Sequence, residues 1–390
     1  MLFNRKKHVR RGFCTVCAVI VMLPVMIMSF AAVMPSAGEL LAGAARFSVQ
    51  LAAGGPISEY ETDAAEAPPE ETSVTESKSV FVHSSFADDS AMLSRGELIR
   101  PSSENEEVFV PEMPSSEAEP YPAETDHRDG VISMVTYGVM KGESYIDLEG
   151  GGQVRNVTSV SNDVLAEESK KPFDFAIEKS GEPQILIMHT HETESYEPYE
   201  RDFYDKDFTC RTTDDSMNMA AVGDAIADKL EEAGIGVIHD VTKHDHPSYN
   251  GSYDRSRVTV SEILEEYPSI KVVLDIHRDA IEREDGTRIA PVADVNGKNA
   301  AQVMIISGCD DGTMNMPDHM LNFRFASALQ QQLESDHSGL TRPLLFDYRK
   351  YNQDLTTGSV LIEVGGHANS IDQAVYSGEL IGESLVNLFT

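Results

Sequence analysis

The sequence has few basic residues for its length. Its 390 residues include 31 Lys and Arg against 65 Asp and Glu, which gives a formal net charge of -34 at pH 7. Proteins bind nucleic acids mainly through contacts from Lys and Arg to phosphates. An excess of acidic residues this large argues against a nucleic-acid partner.

Cysteine is also scarce, with four residues in the chain. Cys14 and Cys17 have the spacing of a metal or redox motif, but they lie inside a strongly apolar segment, where packing is the ordinary role of cysteine. Cys210 and Cys309 could form a disulfide only if folding brings them close together. The cysteines therefore predict neither a metal site nor a particular disulfide.

Periodic hydrophobicity is missing from a long stretch near the N-terminus. Between Glu59 and Asp129 the chain has 19 acidic and 4 basic residues and is rich in Pro, Ser, Ala and Glu. Such a segment cannot bury enough apolar surface to offset the entropy that it would lose on folding. We expect residues 35–129 to form a disordered acidic linker, with a small acidic folded module as the alternative.

The first 34 residues have the pattern of a membrane anchor. Five Lys and Arg fall within residues 1–12, and an uncharged apolar run extends from Phe13 to Met34. A helix of that length crosses the hydrocarbon core of a bilayer, and its basic flank stays in the cytoplasm. We predict a cytoplasmic tail (1–12), a single transmembrane helix (13–34) and an extracytoplasmic location for the rest. A cleaved signal peptide is the alternative, since small residues follow the apolar run.

After Pro172 the sequence alternates between strand and helix patterns. Strand-like apolar segments lie at 185–188, 236–239, 272–276, 303–306 and 360–364, and helical patterns lie at 216–233, 253–267, 319–334 and 371–389. This alternation predicts an α/β fold with a mostly parallel sheet and helices on both faces. Residues 130–180 alternate apolar and polar side chains between glycines, which predicts a small β-rich accessory region of short antiparallel strands before a catalytic domain at 181–390.

Three of the predicted strands carry His or Glu at or near their carboxyl ends. The first is followed by His189-Thr-His191-Glu-Thr-Glu194, the second by His277-Arg278-Asp279, and the third contains Glu363. In such sheets ligands bind beyond the carboxyl ends of the strands. A catalytic zinc ion needs about three His, Glu or Asp ligands and an open position for water. The pattern therefore predicts a metallohydrolase.

Individual roles follow from spacing and chemistry. His189 and His191 are two residues apart, so they point to opposite faces of an extended chain and one of them is expected to bind zinc. Glu194 and His277 complete the predicted ligand set. Asp214 or Asp215, just before the 216–233 helix, is the alternative carboxylate ligand.

Two further residues are predicted to act on the substrate. Glu363 is the candidate base that takes a proton from water and passes it to a leaving amine. Arg278 is expected to bind a substrate carboxylate and Asp279 to orient a histidine, with an ion pair between the two as the alternative. The other histidines of the predicted catalytic domain are interpreted as surface or loop residues: His239, His244, His246, His319, His337 and His367. A metal contact is the alternative for His244 and His246.

Five segments of this chain together resemble the stage II sporulation protein P family. They are His189–Tyr196, Asn218–Asp224, Asp275–Asp279, Tyr351–Leu355 and Leu361–Gly366. The resemblance runs from about Gly130 to the C-terminus. It implies a zinc-dependent N-acetylmuramoyl-L-alanine amidase with an amidase-like α/β fold and a His, Glu, His metal site, together with endopeptidase activity on peptide crosslinks.

The resemblance also implies a setting and partners. Members of the family act in the mother-cell membrane with the sporulation proteins D and M and remove septal peptidoglycan during engulfment. Carried over to this chain, the first metal histidine falls in His189–His191, the second is His277 and the catalytic glutamate is Glu363. In the wider amidase group the carboxylate ligand lies at the start of the helix after the first strand, where this chain has Asp214 and Asp215 but no glutamate, so Glu194 is preferred.

One further site residue and two alternative functions complete the expectations. Asn352 is expected to contact glycan or peptide in the cleft. A metallopeptidase that cuts only peptide crosslinks is one alternative function. A membrane-anchored scaffold for other wall enzymes, with an inactive site, is the other.

Overall fold

Apolar strands alternate with helices through most of the part of the chain that the structure describes. This computed structural model describes residues 127–208 and 210–390 and a two-residue strand at 83–84. All of them fall within one unit, Lys78–Thr390. The helices of this part are α1 (Asn162–Glu168), α2 (Met219–Glu232), α3 (Ser252–Glu266), α4 (His319–Asp336) and α5 (Ile371–Phe389). The strands are β1 (His83–Ser84), β2 (Gly130–Val135), β3 (Tyr145–Asp147), β4 (Gln153–Asn156), β5 (Pro183–Met188), β6 (Phe203–Tyr204), β7 (Gly236–His239), β8 (Val272–Asp279), β9 (Ile281–Glu282), β10 (Arg288–Val295), β11 (Lys298–Ala301), β12 (Val303–Gly308), β13 (Leu344–Asp347) and β14 (Gly358–Gly366).

The main sheet has eight strands in the order β3-β4-β13-β12-β14-β8-β5-β7. Five of its seven neighbouring pairs are parallel, and the β3–β4 and β12–β14 pairs are antiparallel. The prediction of a mostly parallel α/β sheet is therefore confirmed. The carboxyl ends of β5, β8 and β14 lie side by side at one edge, because these three strands are parallel neighbours.

Strand β5 shows how both faces of this sheet are covered. Ile185 and Ile187 belong to the large core cluster that includes residues of α2, α4 and α5. Leu186 and Met188 pack instead with Val260 of α3. Since successive strand side chains point to opposite faces, α3 covers one face of the sheet and α2, α4 and α5 cover the opposite face, as predicted.

The start of helix α2 is set by a capping residue, Asn218. The Asn218 side chain accepts a hydrogen bond from the backbone N–H of Ala220, which satisfies one of the free donors at the helix start. The helix ends before Gly234, whose φ of 81° suits glycine better than any other residue. The observed helix therefore starts three residues later than the predicted start at 216.

A second sheet, absent from the sequence prediction, has the order β1-β9-β10-β2-β6, and β11 also pairs with β10. Strand β2 runs parallel to β10 and antiparallel to β6. Strand β4 runs parallel to β13 at the edge of the main sheet. The strands of residues 130–180 were assigned to an accessory region, but they pair with strands of residues 181–390 in both sheets. Helix α1 was also not predicted in this region.

Several predictions concern residues near the N-terminus. The cytoplasmic tail (1–12), the transmembrane helix (13–34) and nearly all of the linker (35–129) lie outside the described residues. Within the linker, residues 83 and 84 differ from the prediction because they form strand β1 against β9. Among the helices that the structure describes, none is long and apolar enough to cross a membrane. Cys210 and Cys309 are both buried free thiols.

Candidate metal centre

Three side chains from the predicted ligand set converge at the carboxyl ends of β5 and β8. His191, Glu194 and His277 are buried, and each offers one ligand atom within 4.8 Å of the other two. Nδ1 of His191 lies 3.8 Å from Oε1 of Glu194, and Nδ1 of His277 lies 3.6 Å from Oε2 of the same carboxylate. Two imidazole nitrogens and one carboxylate oxygen are a donor set that zinc binds in hydrolytic enzymes.

The second nitrogen of each histidine is held by a polar partner. Nε2 of His191 lies 3.0 Å from the hydroxyl of Ser252, the first residue of α3. Nε2 of His277 lies 2.7 Å from Oδ1 of Asp275, which also accepts a hydrogen bond from the backbone N–H of Thr190. Contacts of this kind fix the orientation of a ligating imidazole. They leave both Nδ1 atoms facing Glu194.

The charges around the group favour a cation. Burial tends to raise the pKa of Glu194, but the positive charges of Arg278, His277 and Arg211 hold it well below its usual range. Burial tends to lower the pKa of His277, but the carboxylates of Asp275 and Glu194 raise it well above the ordinary value. Burial lowers the pKa of His191. The two carboxylates therefore demand a positive charge at His277, either a proton or a metal ion that replaces it.

Glu363 lies beside this group on the neighbouring strand. In the parallel pairing of β14 with β8 its register partner is His277, so the two side chains share one face of the sheet. The side chain is buried, and its Oε2 has no hydrogen-bond partner among the described residues. Burial, assisted by the charge of Asp279, raises the pKa of Glu363 to about 8. A carboxyl group whose pKa lies near neutral can both accept and return a proton.

Arg278 hydrogen-bonds to groups near Glu194. Its guanidinium donates from Nε to the carbonyl of Ser195 at 2.8 Å and from Nη2 to the carbonyl of Cys210 at 2.6 Å. Its backbone N–H donates to Oε2 of Glu194 at 3.2 Å. The side chain thus ties the backbone of Ser195, next to Glu194, to that of Cys210, and its contact with a substrate carboxylate stays a prediction.

The other proposed ligands lie outside the group. Nδ1 of His189 lies 3.0 Å from the carbonyl of Ile276, and its Nε2 lies 2.9 Å from Nε2 of His239, on the opposite face of the sheet. Burial and the nearby His239 lower the pKa of His189 to about 3. Asp214 accepts hydrogen bonds from Ser216, and Asp215 pairs with Lys243. Of the alternatives that the sequence left open, the structure brings His191 and Glu194 together with His277.

Two histidines interpreted as surface or loop residues are buried. His244 lies 3.1 Å from the carbonyl of His189 and 3.0 Å from the hydroxyl of Thr259. His367 is 6% exposed, and the charges of Arg278 and Glu194 reach it. Neither belongs to the metal group. Their burial could not be predicted locally, because it depends on partners that are distant in the chain, namely His189 for His244 and Asp279 for His367.

Aromatic rings surround the centre. The ring of Tyr249 stacks on His191 with centroids 4.5 Å apart, and Tyr253 stacks on Tyr351 at 5.1 Å. Asn352, expected to contact the substrate, instead donates to the carbonyl of Tyr253 and to the hydroxyl of Ser256. These bonds tie the 351–355 segment to helix α3, so Asn352 supports the wall of the site.

Two functional neighbours were missed by the sequence analysis. Asp275 precedes His277 by two residues on one strand, so the two-residue period could have identified it as the partner on the same face. Ser252 is far from every motif, and only the packing of α3 on β5 and β8 brings it to His191.

Comparisons with known proteins give a consistent picture. Residues 103–386 match the family model described as stage II sporulation protein P. The stage II sporulation protein P of Bacillus subtilis (strain 168) is 32% identical over 202 residues, which are 48% of this chain and 47% of that protein. This chain thus aligns with about half the length of that relative. The family match includes every residue of the candidate metal centre.

The matches among solved structures have lower sequence identity. The N-acetylmuramoyl-L-alanine amidase AmiC2 of Nostoc punctiforme is 13% identical, covers 54% of this chain and 96% of its own, and has a TM-score of 0.32. An N-acetylmuramoyl-L-alanine amidase of Clostridium difficile 630 is 14% identical, with 54% and 95% coverage and a TM-score of 0.32. The CwlD amidase of Clostridioides difficile, solved with the GerS lipoprotein, is 12% identical, with 52% and 94% coverage and a TM-score of 0.33.

Proposed function

Because this chain belongs to the stage II sporulation protein P family, we propose that it is a zinc-dependent peptidoglycan hydrolase acting in sporulation. Its proposed reaction is cleavage of the amide between N-acetylmuramic acid and L-alanine, with peptide crosslinks as a second substrate. One observation carries the proposal, namely the buried group His191, Glu194 and His277 with Glu363 beside it.

The residues present fit a zinc ion. Three donor atoms lie within reach of one ion, and the remaining imidazole nitrogens are held by Ser252 and Asp275. A zinc ion bound there would supply Lewis acidity that polarises the scissile carbonyl and activates water. The buried setting strengthens such electrostatic effects, because little water competes with them.

Glu363 would move the proton. Its unpartnered Oε2 is available to accept a proton from the attacking water and to return it to the nitrogen of the departing amine. Its place next to His277 keeps the carboxylate beside the reacting atoms throughout. The protein thus holds the acid and base function in a single side chain.

Other residues position these groups. Asp275 orients the His277 ring, and Arg278 holds the loop that presents Glu194. Tyr249 stacks against His191 and limits how that ring can turn. These contacts are made by the protein itself, so the ligands are preorganised.

The biological setting is proposed from the family and from the N-terminal sequence. The predicted helix at 13–34 would hold the enzyme in the mother-cell membrane with its catalytic part on the extracytoplasmic side. The acidic segment that follows would act as a flexible tether to the wall. The sporulation proteins D and M are the proposed partners during engulfment.

Digestion of purified sacculi tests the proposed reaction. The full-length protein is compared with Glu363→Gln, a variant of almost equal size, and the soluble products are identified by mass spectrometry. Amidase action releases stem peptides with a free alanine amine and leaves glycan strands with intact lactyl groups. Release of uncrosslinked but still glycan-linked peptides would instead indicate a peptidase specific for crosslinks.

The variant isolates the role of Glu363. We expect the rate of cleavage to fall by at least about 10²-fold, because a proton carrier is lost, while zinc content stays unchanged. A variant that cuts as fast as the wild type would remove Glu363 from the mechanism. A wild-type protein that releases nothing, despite bound zinc, would favour the inactive scaffold.

A further inference from the structure

A buried arginine beside Glu363 has donors without acceptors. Nη1 of Arg342 donates to Oδ2 of Asp279 at 2.8 Å, and the two side chains are 8% and 4% exposed. Within the part of the chain that the structure describes, neither Nε nor Nη2 of Arg342 has a hydrogen-bond partner. Buried donors nearly always have partners in folded proteins. Two unpaired donors on one guanidinium therefore indicate an acceptor that comes from outside the described chain.

The backbone places this arginine close to the proposed base. The N–H of Arg342 donates to the carbonyl of Val303 at 2.7 Å, at the first residue of β12. The next residue, Met304, is the cross-strand partner of Glu363. The charges of both Asp279 and Arg342 act on the Glu363 carboxyl group. Arg342 and Glu363 thus lie at the same end of the sheet, where β12 begins and β14 ends, and with Asp279 they are called the polar group below.

This polar group continues toward the surface through Tyr137 and Arg283. Both residues are partly exposed. The backbone N–H of Tyr137 donates to Oε1 of Gln302 at 2.7 Å, and Gln302 immediately precedes Val303, whose carbonyl accepts from the N–H of Arg342. The charges of Arg342 and Arg283 also act on the Tyr137 hydroxyl. Nε of Arg283 is a further buried donor that no described residue satisfies.

We propose that Arg342, together with Arg283 and Tyr137, binds a carboxylate of the peptide part of the substrate next to Glu363. Nε and Nη2 lie on the same edge of the guanidinium, and this edge matches the two oxygens of a carboxylate. A sugar hydroxyl or an amide carbonyl would offer one uncharged acceptor and would leave the second donor unpaired. Asp279 already holds the opposite edge, so the arginine is fixed in position for this contact.

This inference rests on the proposed function. It names the part of the peptidoglycan substrate that a site beside Glu363 would hold. It assigns the residue a role in substrate specificity. The peptide released by the proposed reaction carries carboxylates, whereas the muramic acid carboxyl is consumed in the scissile amide. The peptide side of the bond is therefore the side that Arg342 would recognise.

Binding measurements on the full-length protein test this assignment. The probes are N-acetyl-alanyl-glutamate and its diamide, titrated by calorimetry into wild type and Arg342→Lys. Lysine keeps the charge pair with Asp279 but lacks the paired donors. We expect the wild type to bind the free acid at least about tenfold more tightly than the diamide. Arg342→Lys should bind both probes alike, with its affinity for the diamide unchanged.

A matched control separates this effect from a general loss of arginine. Arg324 on α4 donates to Glu168 at 2.8 Å and lies in a different group, so Arg324→Lys should retain the full preference for the acid. The thermal midpoint and zinc content of each variant are measured alongside. If Arg342→Lys is too unstable to assay, Tyr137→Phe and Arg283→Gln replace it, and each should reduce the preference.

Three results would overturn the assignment. The first is equal binding of the free acid and the diamide by the wild type. The second is an unchanged preference for the free acid in the replacement variants. The third is displacement of the free acid by inorganic phosphate at equal affinity, which would indicate a general anion site. The readout does not depend on turnover. If the wild type prefers the free acid but does not cleave sacculi, the proposed reaction is refuted and the carboxylate site is supported. If it cleaves sacculi but shows no preference for the free acid, the carboxylate site is refuted and the proposed reaction is supported.

Discussion

At the scale of single residues, Glu192 has the most unusual environment outside the metal group. It is fully buried, and its Oε1 accepts from Asn218 at 2.9 Å and lies 3.1 Å from Nζ of Lys243. Its Oε2 has no partner among the residues that the structure describes. Burial raises the pKa of Glu192 to about 8, and the charge of Lys243 only partly opposes this.

The shift predicts how stability depends on pH. A carboxyl group whose pKa is raised by folding stabilises the folded state below its unfolded pKa, and that contribution is lost as the pH rises through the folded pKa. The wild type should therefore lose about 2–4 kcal/mol of unfolding free energy between pH 5 and pH 9 from this residue. Glu192→Gln should lack this part of the dependence in urea unfolding with a chelator present. Glu265→Gln, on the exposed side of α3, controls for the loss of one charge. An equal change of unfolding free energy with pH in all three proteins would contradict the account.

The residue types of the candidate site could be predicted from the sequence, but the choice between two histidines could not. Spacing predicts that His189 and His191 face opposite ways, and only the packing of the fold brings His191 to Glu194, His277 and Ser252. The partners of Arg278 could not be predicted either, because they are backbone carbonyls, which leave no mark in a sequence.

At the scale of elements, helix α2 packs closely over the contact between His189 and His239. Gly223 makes this approach possible, because a Cβ at that position would overlap Nε2 of His239 and lie 2.9 Å from Nε2 of His189. Nδ1 of His239 also lies 2.8 Å from the carboxylate of Asp224, the next residue of the helix. The helix, strand β7 and strand β5 are thus joined at one point.

We predict that Gly223→Ala destabilises the protein by about 1–3 kcal/mol, since the added methyl group forces the histidines apart. This sign is informative, because alanine ordinarily stabilises a helix relative to glycine by about 1 kcal/mol. Chemical denaturation gives the free energy of unfolding. In a protein that already carries His239→Ala, Gly223→Ala should lower the free energy of unfolding by less than it does in the wild type. A Gly223→Ala protein that is more stable than the wild type would refute the close contact.

The long elements and the four-residue strand β7, at the predicted 236–239, could be predicted from local sequence, whereas several other short strands could not. Helix α5 occupies the predicted 371–389 range, and the strand predicted at 272–276 lies within β8. These segments carry their own hydrophobic pattern. Strands of two to four residues, such as β9 and β11, are defined by their pairing with β10, and that pairing is not visible in local sequence.

At the scale of the whole described unit, residues 130–180 are built into both sheets. Ile132 of β2 pairs with Arg288, and Val154 of β4 pairs with Leu344, across more than 150 residues of chain. Val154 and Leu165 are fully buried in the main core. The sequence suggested a separate accessory region, because alternation of apolar and polar residues does not reveal a distant partner strand.

A chain that begins at residue 181 should therefore fail to fold cooperatively. It lacks the strands that cover β13 and β10, and it exposes the apolar core that Val154 and Leu165 fill. Thermal unfolding followed by circular dichroism would compare this fragment with the full-length protein. A sharp transition at the same midpoint would show instead that residues 130–180 are dispensable.

The central claim is that His191, Glu194 and His277 hold one zinc ion. Its most direct test is the zinc content of the full-length protein, measured by mass spectrometry after dialysis, for wild type, His191→Gln, His277→Gln and His189→Gln. We predict about one zinc per chain in wild type and in His189→Gln, and almost none in the other two variants. Zinc that is retained in His191→Gln but lost in His189→Gln would contradict this account of the site.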